Sequence, residues 1–486
     1  MITVSDAPQR PRTRSRRVAT AAAVVIAFAS LVGCGQKPGV HHAAGVGSGG
    51  DGSSLNSADN GFGNGAENAA GSASAASNTE NPAGVAAGGA NRAAGRGSAG
   101  GLPRGGLAAG QGAGTDDTTG LSNDSITIGV HAPVTGAAPF PATSFSQGKD
   151  VYFNFINGKG GISGRKVRVV FEDDGYNPSQ AVSVCKKLVE QDHVFMLVGL
   201  GGTDQVVACA QYAASVGVPY VAEGVSEQGL NTLQNYFALS MTYKAQGLLL
   251  AEYMRNVLHV TRVGMIRGNT ANFDDAHAEF LQAAQQVGLQ VVFDRAIDKN
   301  ADAQTAFSAG GSICANRGNA PEAVYPLVAP TIWVQIVAGA TAQACSPIWS
   351  GVGITQGLNT VAAAVCGASP TTKAHFFSPF PGLDSANQVD PDYNQAYQAQ
   401  HGQSGDDIGW GIWGLEKLLS SMLAAPGRTL SRQTFVSAPM GKAFTTGVWP
   451  TVKYGPSRFG GTAVHVLRLD CSKQQYVTEQ MNRNSF

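Results

Sequence analysis

Charge is scarce in this chain: only 14% of its 486 residues are Asp, Glu, Lys or Arg, and 33 acidic residues balance 33 basic ones. A nucleic-acid binder needs a basic face to displace counterions from phosphates, so nucleic acid is not the expected partner. Chemistry-bearing motifs are missing too. No CxxC pair and no HExxH cluster accompanies the seven cysteines and nine histidines, so no metal site is expected. There is no P-loop and no nucleophile elbow; an enzyme is not expected, and no cofactor is required. Glu172, Asp173 and Asp174 are adjacent carboxylates, but they end a strand ahead of a helix start, where dipole and turn chemistry account for them. Long apolar runs are lacking as well, since the stretch from Val18 to Val32 falls short of the ~20 residues that span a bilayer.

That short run is informative for what surrounds it. Arg12, Arg14, Arg16 and Arg17 precede it, which gives the layout of an export signal. It closes on Leu31-Val32-Gly33-Cys34, which resembles the bacterial lipoprotein pattern. The resemblance implies a signal peptide over residues 1–33, removed on export, and lipidation of Cys34 as the membrane anchor. Ser15-Arg16-Arg17 leaves the export route open. From Gly35 to about Ser122 the chain is nearly all Gly, Ala, Ser and Asn, too poor in apolar residues to offset the entropy of folding. Residues 34–122 are therefore expected to be a disordered tether, with a root-mean-square span of roughly 50 Å.

Beyond the tether the pattern is α/β, with order expected to begin at Asp124. Ile126 to Val130 alternates as a strand, Ala132 to Gly136 supplies a turn, and a helix is expected over 144–157. Gly160-Gly161-Ile162-Ser163-Gly164 ends it. A strand at 166–172, a helix opened by Pro178, an unbroken apolar strand at 194–198, a helix at 204–215 and a strand at 219–222 follow. The rhythm then restarts: helices at 245–258, 275–287, 302–315 and 331–342 separate strands at 262–266, 290–294, 323–327 and 347–351. Two doubly wound halves imply a cleft between them. Trp410 and Trp413 lie three apart with Leu415, Leu418 and Leu419 beyond, the spacing of one buried helix face.

Particular residues carry a family resemblance. Ile128 to Gly136, Phe155-Ile156-Asn157 with the glycine-rich run to Val167, Asp173-Asp174 with Asn177-Pro178 and Ala181, and Gly217-Val218-Pro219 resemble the type I periplasmic solute-binding proteins of the leucine/isoleucine/valine-binding group. The likeness runs from about Asp124 to Asp470, and past Gly268 it is mainly architectural. It implies two lobes joined by three crossovers, expected near Met241, Phe377 and Gly447. One lobe would hold residues 123–241 and 378–446, the other 242–377 and 447–486.

Ligands in open α/β sheets bind beyond the carboxyl ends of strands, where helix N-termini offer unpaired N–H groups. The turn Gly199-Leu200-Gly201-Gly202-Thr203-Asp204 is such a place, and Asp204 occupies the third glycine position of a dinucleotide fingerprint, where it would repel pyrophosphate. The resemblance places a carboxylate-binding hydroxyl on Thr203 beside Gly202, and a second contact, backbone plus hydroxyl, on Gly224 and Ser226. Aromatic positions fall on Phe140 and Phe273 and another near Ala329; Tyr243, near the first crossover, is a further candidate. The family's amino-acid binders pair the ligand ammonium with an acidic residue of the second lobe. Here the matching stretch is Ser350-Gly351-Val352-Gly353, without a carboxylate, so an apolar or aromatic carboxylate or an amide is expected over a zwitterion unless Glu223 or Glu227 supplies the charge.

Setting Cys34 aside, seven cysteines become six, which permit fifteen pairings. Cys185 and Cys209 lie midway along successive crossover helices and can pair; Cys314 with Cys345 and Cys366 with Cys471 complete the set. The expectation is an extracytoplasmic, membrane-anchored monomer that closes two lobes over a small solute and hands it to the permease and ATPase of an ABC importer. A sensor of the same fold, or a tethered interaction protein with a vestigial cleft, is the alternative.

Overall fold

The computed structural model describes residues 116–353 and 357–486. The expected signal peptide, Cys34 and the tether as far as residue 115 lie outside the described residues. The ordered body is engaged earlier than Asp124. Asp117 accepts from the Arg432 guanidinium at 2.6 Å, and Leu121 bridges Ile126. The Arg432 side chain is buried and also donates to the carbonyls of Val194 and Phe195, so residues 117–122 are held by the fold rather than belonging to a tether.

The strands are β1 (Ser125–Ala132), β2 (Lys166–Asp173), β3 (Met196–Gly199), β4 (Tyr220–Ala222), β5 (Tyr236–Ala238), β6 (Arg262–Gly268), β7 (Gln290–Ile297), β8 (Ala323–Leu327), β9 (Ile348–Val352), β10 (Ala374–Ser378), β11 (Ala443–Phe444), β12 (Val452–Lys453), β13 (Val464–Asp470) and β14 (Gln475–Arg483). The first five form a parallel sheet in the order β2-β1-β3-β4-β5. The second sheet runs β14-β13-β10-β9-β8-β6-β7, with parallel pairings except that β13 pairs antiparallel with both β10 and β14. β3 is buried at every position, which its unbroken apolar sequence demands of a strand covered on both faces. The helix Pro178–Glu190 starts where expected, because the Asn177 side chain accepts the Ser179 and Gln180 N–H groups and Pro178 needs none.

The helix expected over 144–157 is two, Ala142–Gly148 and Val151–Asn157. Asp150, at φ −149 and ψ 16, interrupts it, and a Cβ on Gly148 would sit 2.8 Å from the Gly409 Cα of the neighbouring helix. That neighbour, Asp407–Ala424, buries Trp410 and Trp413 completely, as the spacing requires; their indole N–H groups donate to the Pro381 carbonyl and the Asp390 carboxylate, both at 2.9 Å.

The chain passes between the lobes at three places. The first lies between β5 and the helix Tyr243–Asn256, the second between β10 and the helix Ala386–Val389. The third is displaced. Val448, Trp449, Val452 and Tyr454 belong to the core of the first lobe, and Gly461 still bridges Val452, so the crossing comes just before β13 and not near Gly447. A glycine with φ +90 at Gly447 marks a turn inside the lobe. The disulfides join Cys185 to Cys209, Cys314 to Cys345 and Cys366 to Cys471, with Cα separations of 6.1, 5.7 and 5.3 Å. The first ties two helices of the first lobe; the other two lie in the second.

Candidate functional site

The cleft is built from strand ends. β3 runs into Gly201 and Gly202, whose φ angles of +68 and +79 turn the chain sharply into the helix Thr203–Ser215. The first N–H groups of that helix point out of the turn, giving a partly positive pole. Thr203 is buried beside them, and among the described residues its hydroxyl makes no hydrogen bond to protein. The cavity at this turn has a volume of about 530 Å³, mouth included. Phe140, Gly202, Thr203, Tyr243 and Phe273 all line it, and so does Ala329. The Tyr243 and Phe273 rings, from the second lobe, lie 6.4 Å apart.

Gly224 and Ser226 are placed differently. The Gly224 N–H donates to the Ser240 hydroxyl at 2.7 Å, and the glycine borders a separate cavity of about 270 Å³. Ser226 is fully buried, accepts the Gln228 N–H at 3.1 Å, and turns its hydroxyl to Asp275 of the second lobe at 3.5 Å. The second expected contact is thus taken up by the protein itself, because the loop after β4 folds onto the helix Asp274–Gln286 of the facing lobe.

The lobes are drawn together by polar contacts. Asp204 reaches across from the first lobe and accepts from Thr270 at 2.7 Å, from Asn272 at 2.5 Å and from the Lys299 ammonium. Burial pushes this carboxyl upward, but Lys299, Asn272 and Thr270 together hold it below its ordinary value. Asp275 returns the contact, accepting the Glu227 and Gln228 N–H groups at 3.0 and 3.2 Å, and Thr331 donates to the Ala137 carbonyl at 2.9 Å.

Two further residues face the cavity. Tyr176 sits at φ +56 after the Asp173-Asp174 turn, and burial pushes its phenol up to about 12. Glu223, only 7% exposed, lies at the end of β4; burial pushes its carboxyl up to about 7 against the opposing Gly201 N–H. No Lys, Arg or His lines the cleft among the described residues. Behind Phe140 is an apolar pocket of about 420 Å³ walled by Phe145, Phe380, Ile412 and Trp449. The one histidine-cysteine cluster among the described residues, His131 with Cys185 and Cys209, has both sulfurs in a disulfide, and the His131 ring is bonded to Asp174 at 2.8 Å and Tyr220 at 2.6 Å.

Two doubly wound lobes closed on a cleft with a helix N-terminus at one pole define a two-lobed ligand-binding protein. A family model described as periplasmic binding protein matches residues 125–471. The chain belongs to that family, as a type I member of the leucine/isoleucine/valine-binding group. The family consists of solute-binding proteins rather than enzymes, and membership implies an extracytoplasmic location. An amino acid binding protein from Pseudomonas aeruginosa is 30% identical over 146 residues, 29% of this chain and 38% of the relative. A Leu/Ile/Val-binding protein homolog 2 from Brucella abortus is 27% identical over 153 residues, 31% of this chain and 41% of the relative. The chain thus matches about two fifths of the length of these curated relatives. Among solved structures, a fatty acid ABC transporter substrate-binding protein from Thermomonospora curvata superposes with a TM-score of 0.64 at 17% identity, covering 76% of this chain and 95% of that one. No helix among the described residues is long and apolar enough to cross a membrane.

Proposed function

We propose that this protein is the solute-binding lipoprotein of an ABC importer, anchored through Cys34, and that it captures a small carboxylate-bearing solute between its lobes. The observation that carries the proposal is the Thr203 hydroxyl, which has no protein hydrogen-bond partner among the described residues and sits at a helix N-terminus inside an inter-lobe cavity. A carboxylate seated there accepts the hydroxyl and the first helical N–H groups and lies along the favourable direction of the helix dipole. Gly201 and Gly202 let the backbone come close to it. Phe140 and Phe273 flank the pole with apolar surface, which suits a solute whose remainder is aliphatic or aromatic. Closure excludes water and strengthens each of these bonds. The relatives named for amino acid and fatty acid binding support a carboxylate as the common chemical feature.

The test is mass spectrometry of small molecules that copurify with the full chain, followed by calorimetry with whatever is found. A copurifying carboxylate that binds the wild type and loses affinity in Thr203→Val supports the proposal; a ligand without an acidic group, or unchanged affinity, overturns the site. For the anchor, Cys34→Ser should move the protein from the membrane to the soluble fraction.

A further inference from the structure

Phe140 stands where three cavities meet. It is the one residue shared by the inter-lobe cleft, the apolar pocket of about 420 Å³ behind it and an outer groove of about 660 Å³ at the cleft mouth. The apolar pocket adjoins the carboxylate pole directly, because Gly201, in the turn that opens the helix Thr203–Ser215, lines both. A Cβ on Gly201 would lie 2.8 Å from the Phe140 ring, so the ring rests on bare backbone. Phe140 is half-buried, follows the exposed Pro139, and stacks on Phe145 at 5.8 Å between ring centres. What divides the pole from the pocket is therefore a side chain that can turn aside, not a strand or helix.

Such a pocket is not ordinary core packing, since protein interiors approach crystal density and a void among large apolar side chains is destabilising. Its walls are held in place. The Trp449 indole N–H donates to the Gly411 carbonyl at 3.0 Å, and the Phe380 ring lies so close to Gly411 that a Cβ there would overlap it. Glu223, at the junction with the cleft, is the one ionisable side chain of the lining. Every other apolar wall belongs to the first lobe's core, but Leu358 comes from the second lobe, just ahead of the helix Asn359–Ala368. The Asn359 N–H donates across to the Asp407 carboxylate at 2.6 Å, so the pocket is completed only when the lobes meet.

Resting on the carboxylate-capture reading above, we infer that this pocket is a tail site inside the first lobe: an acid held at Thr203 by its carboxylate sends an unbranched acyl chain past Phe140 into it, and Leu358 closes over the chain. The passage is bounded by Phe140, Gly201 and Glu223, the residues common to cleft and pocket, and a flexible chain threads it where a branched or ring-bearing group does not. The outer groove is the poorer host. Its Pro139, Thr331, Thr360 and Ala364 are exposed, whereas beyond Phe140 the apolar side chains of the pocket are all buried, so a chain placed there loses more contact with water. Chain length then bears on closure, because Leu358 is the wall that the second lobe supplies.

The experiment is calorimetry on the full chain with the straight-chain acids from propanoate to dodecanoate, each kept below its micelle-forming concentration. It is repeated with Ile412→Phe, which fills the pocket, and with Leu415→Ala, which enlarges it. In the wild type each added methylene should tighten binding about fourfold until the pocket is full, after which affinity should stop rising. Ile412→Phe should bring that plateau to shorter acids and Leu415→Ala to longer ones. A shift to longer acids cannot come from a loss of folding, and if one variant folds poorly the other still reports. Affinity independent of chain length overturns this inference and leaves carboxylate capture intact. A length dependence that neither variant shifts also overturns it, since the chain then lies in the outer groove. A wild-type chain that binds none of these acids overturns the tail site, while carboxylate capture is decided separately by the copurifying solute.

Discussion

The contact made by Asp204 holds the two lobes together, and breaking it has a size that can be worked out. The carboxylate accepts from Thr270, Asn272 and the Lys299 ammonium, all from the facing lobe, and its side chain is 14% exposed against 25% for Lys299. Hydrogen bonds to charged groups contribute about 1.5–3 kcal/mol each when lost unmatched, but opening returns every partner to water, so the net bias toward closure is about 2 kcal/mol. That corresponds to roughly a 30-fold change in the closed-to-open ratio. Asp204→Ala should therefore speed hydrogen exchange of the amides on both sides of the cleft, around residues 202–206 and 268–276, by about that factor in the ligand-free protein. Exchange in the centre of either sheet should be unchanged. The charge-reversed pair Asp204→Lys with Lys299→Asp should recover part of the protection, whereas either single reversal should not. Because the closed-state carboxyl is held below its ordinary value, this contribution is complete above the normal carboxylate range and is lost only as pH falls through the depressed one; the protection Asp204 adds, read as wild type against Asp204→Ala, should not change between pH 5 and pH 8. Unaltered exchange in Asp204→Ala would refute the argument, since the contact would then contribute nothing to closure.

Other outcomes follow from the same structure. Thr203→Val should weaken a carboxylate ligand about tenfold by calorimetry, and Ser226→Ala much less, because only the first hydroxyl faces the cleft. In the ligand-free protein, the raised Glu223 carboxyl contributes stability that is full below about pH 4.5 and lost as pH rises through about 7, amounting to about 3 kcal/mol; Glu223→Gln should flatten that part of the melting-temperature profile. Removing Cys366–Cys471 by paired alanine substitution opens a loop of 105 residues and should cost about 4–5 kcal/mol in denaturant unfolding. Trp410→Ala should cost about 3–5 kcal/mol, seen as a loss of melting temperature without any change in ligand preference.

Much of the first lobe was legible because its signals are local. The glycine run at 160–164 requires left-handed backbone, with Gly161 so close to Arg165 that a Cβ would lie 2.0 Å from its carbonyl oxygen, and Asn177-Pro178 starts a helix by its own chemistry. The helix start at Thr203 was legible for the same reason, as it follows two glycines of positive φ. The third crossover was not. Gly447 resembles a hinge in sequence, and only the burial of Trp449 and Tyr454 against a helix many residues earlier shows that the chain stays in the first lobe. Asp204 drew attention as a group that repels phosphate, yet its partners lie 66 to 95 residues onward, beyond any local pattern. Ser226 misled because sequence places it after the right strand but says nothing of Asp275, the carboxylate its loop folds against.

The three crossings also govern when the molecule can fold. The first lobe's core depends on Trp410, Trp449 and Tyr454, and the second lobe's sheet on β13 and β14, with the terminal Phe486 ring stacked 5.5 Å from Phe377. A growing chain of some four hundred residues therefore carries two unfinished halves and no finished one. Neither lobe can mature far ahead of the other, because the first waits for Trp449 and Tyr454 and the second for β13 and β14, which follow them directly in the chain.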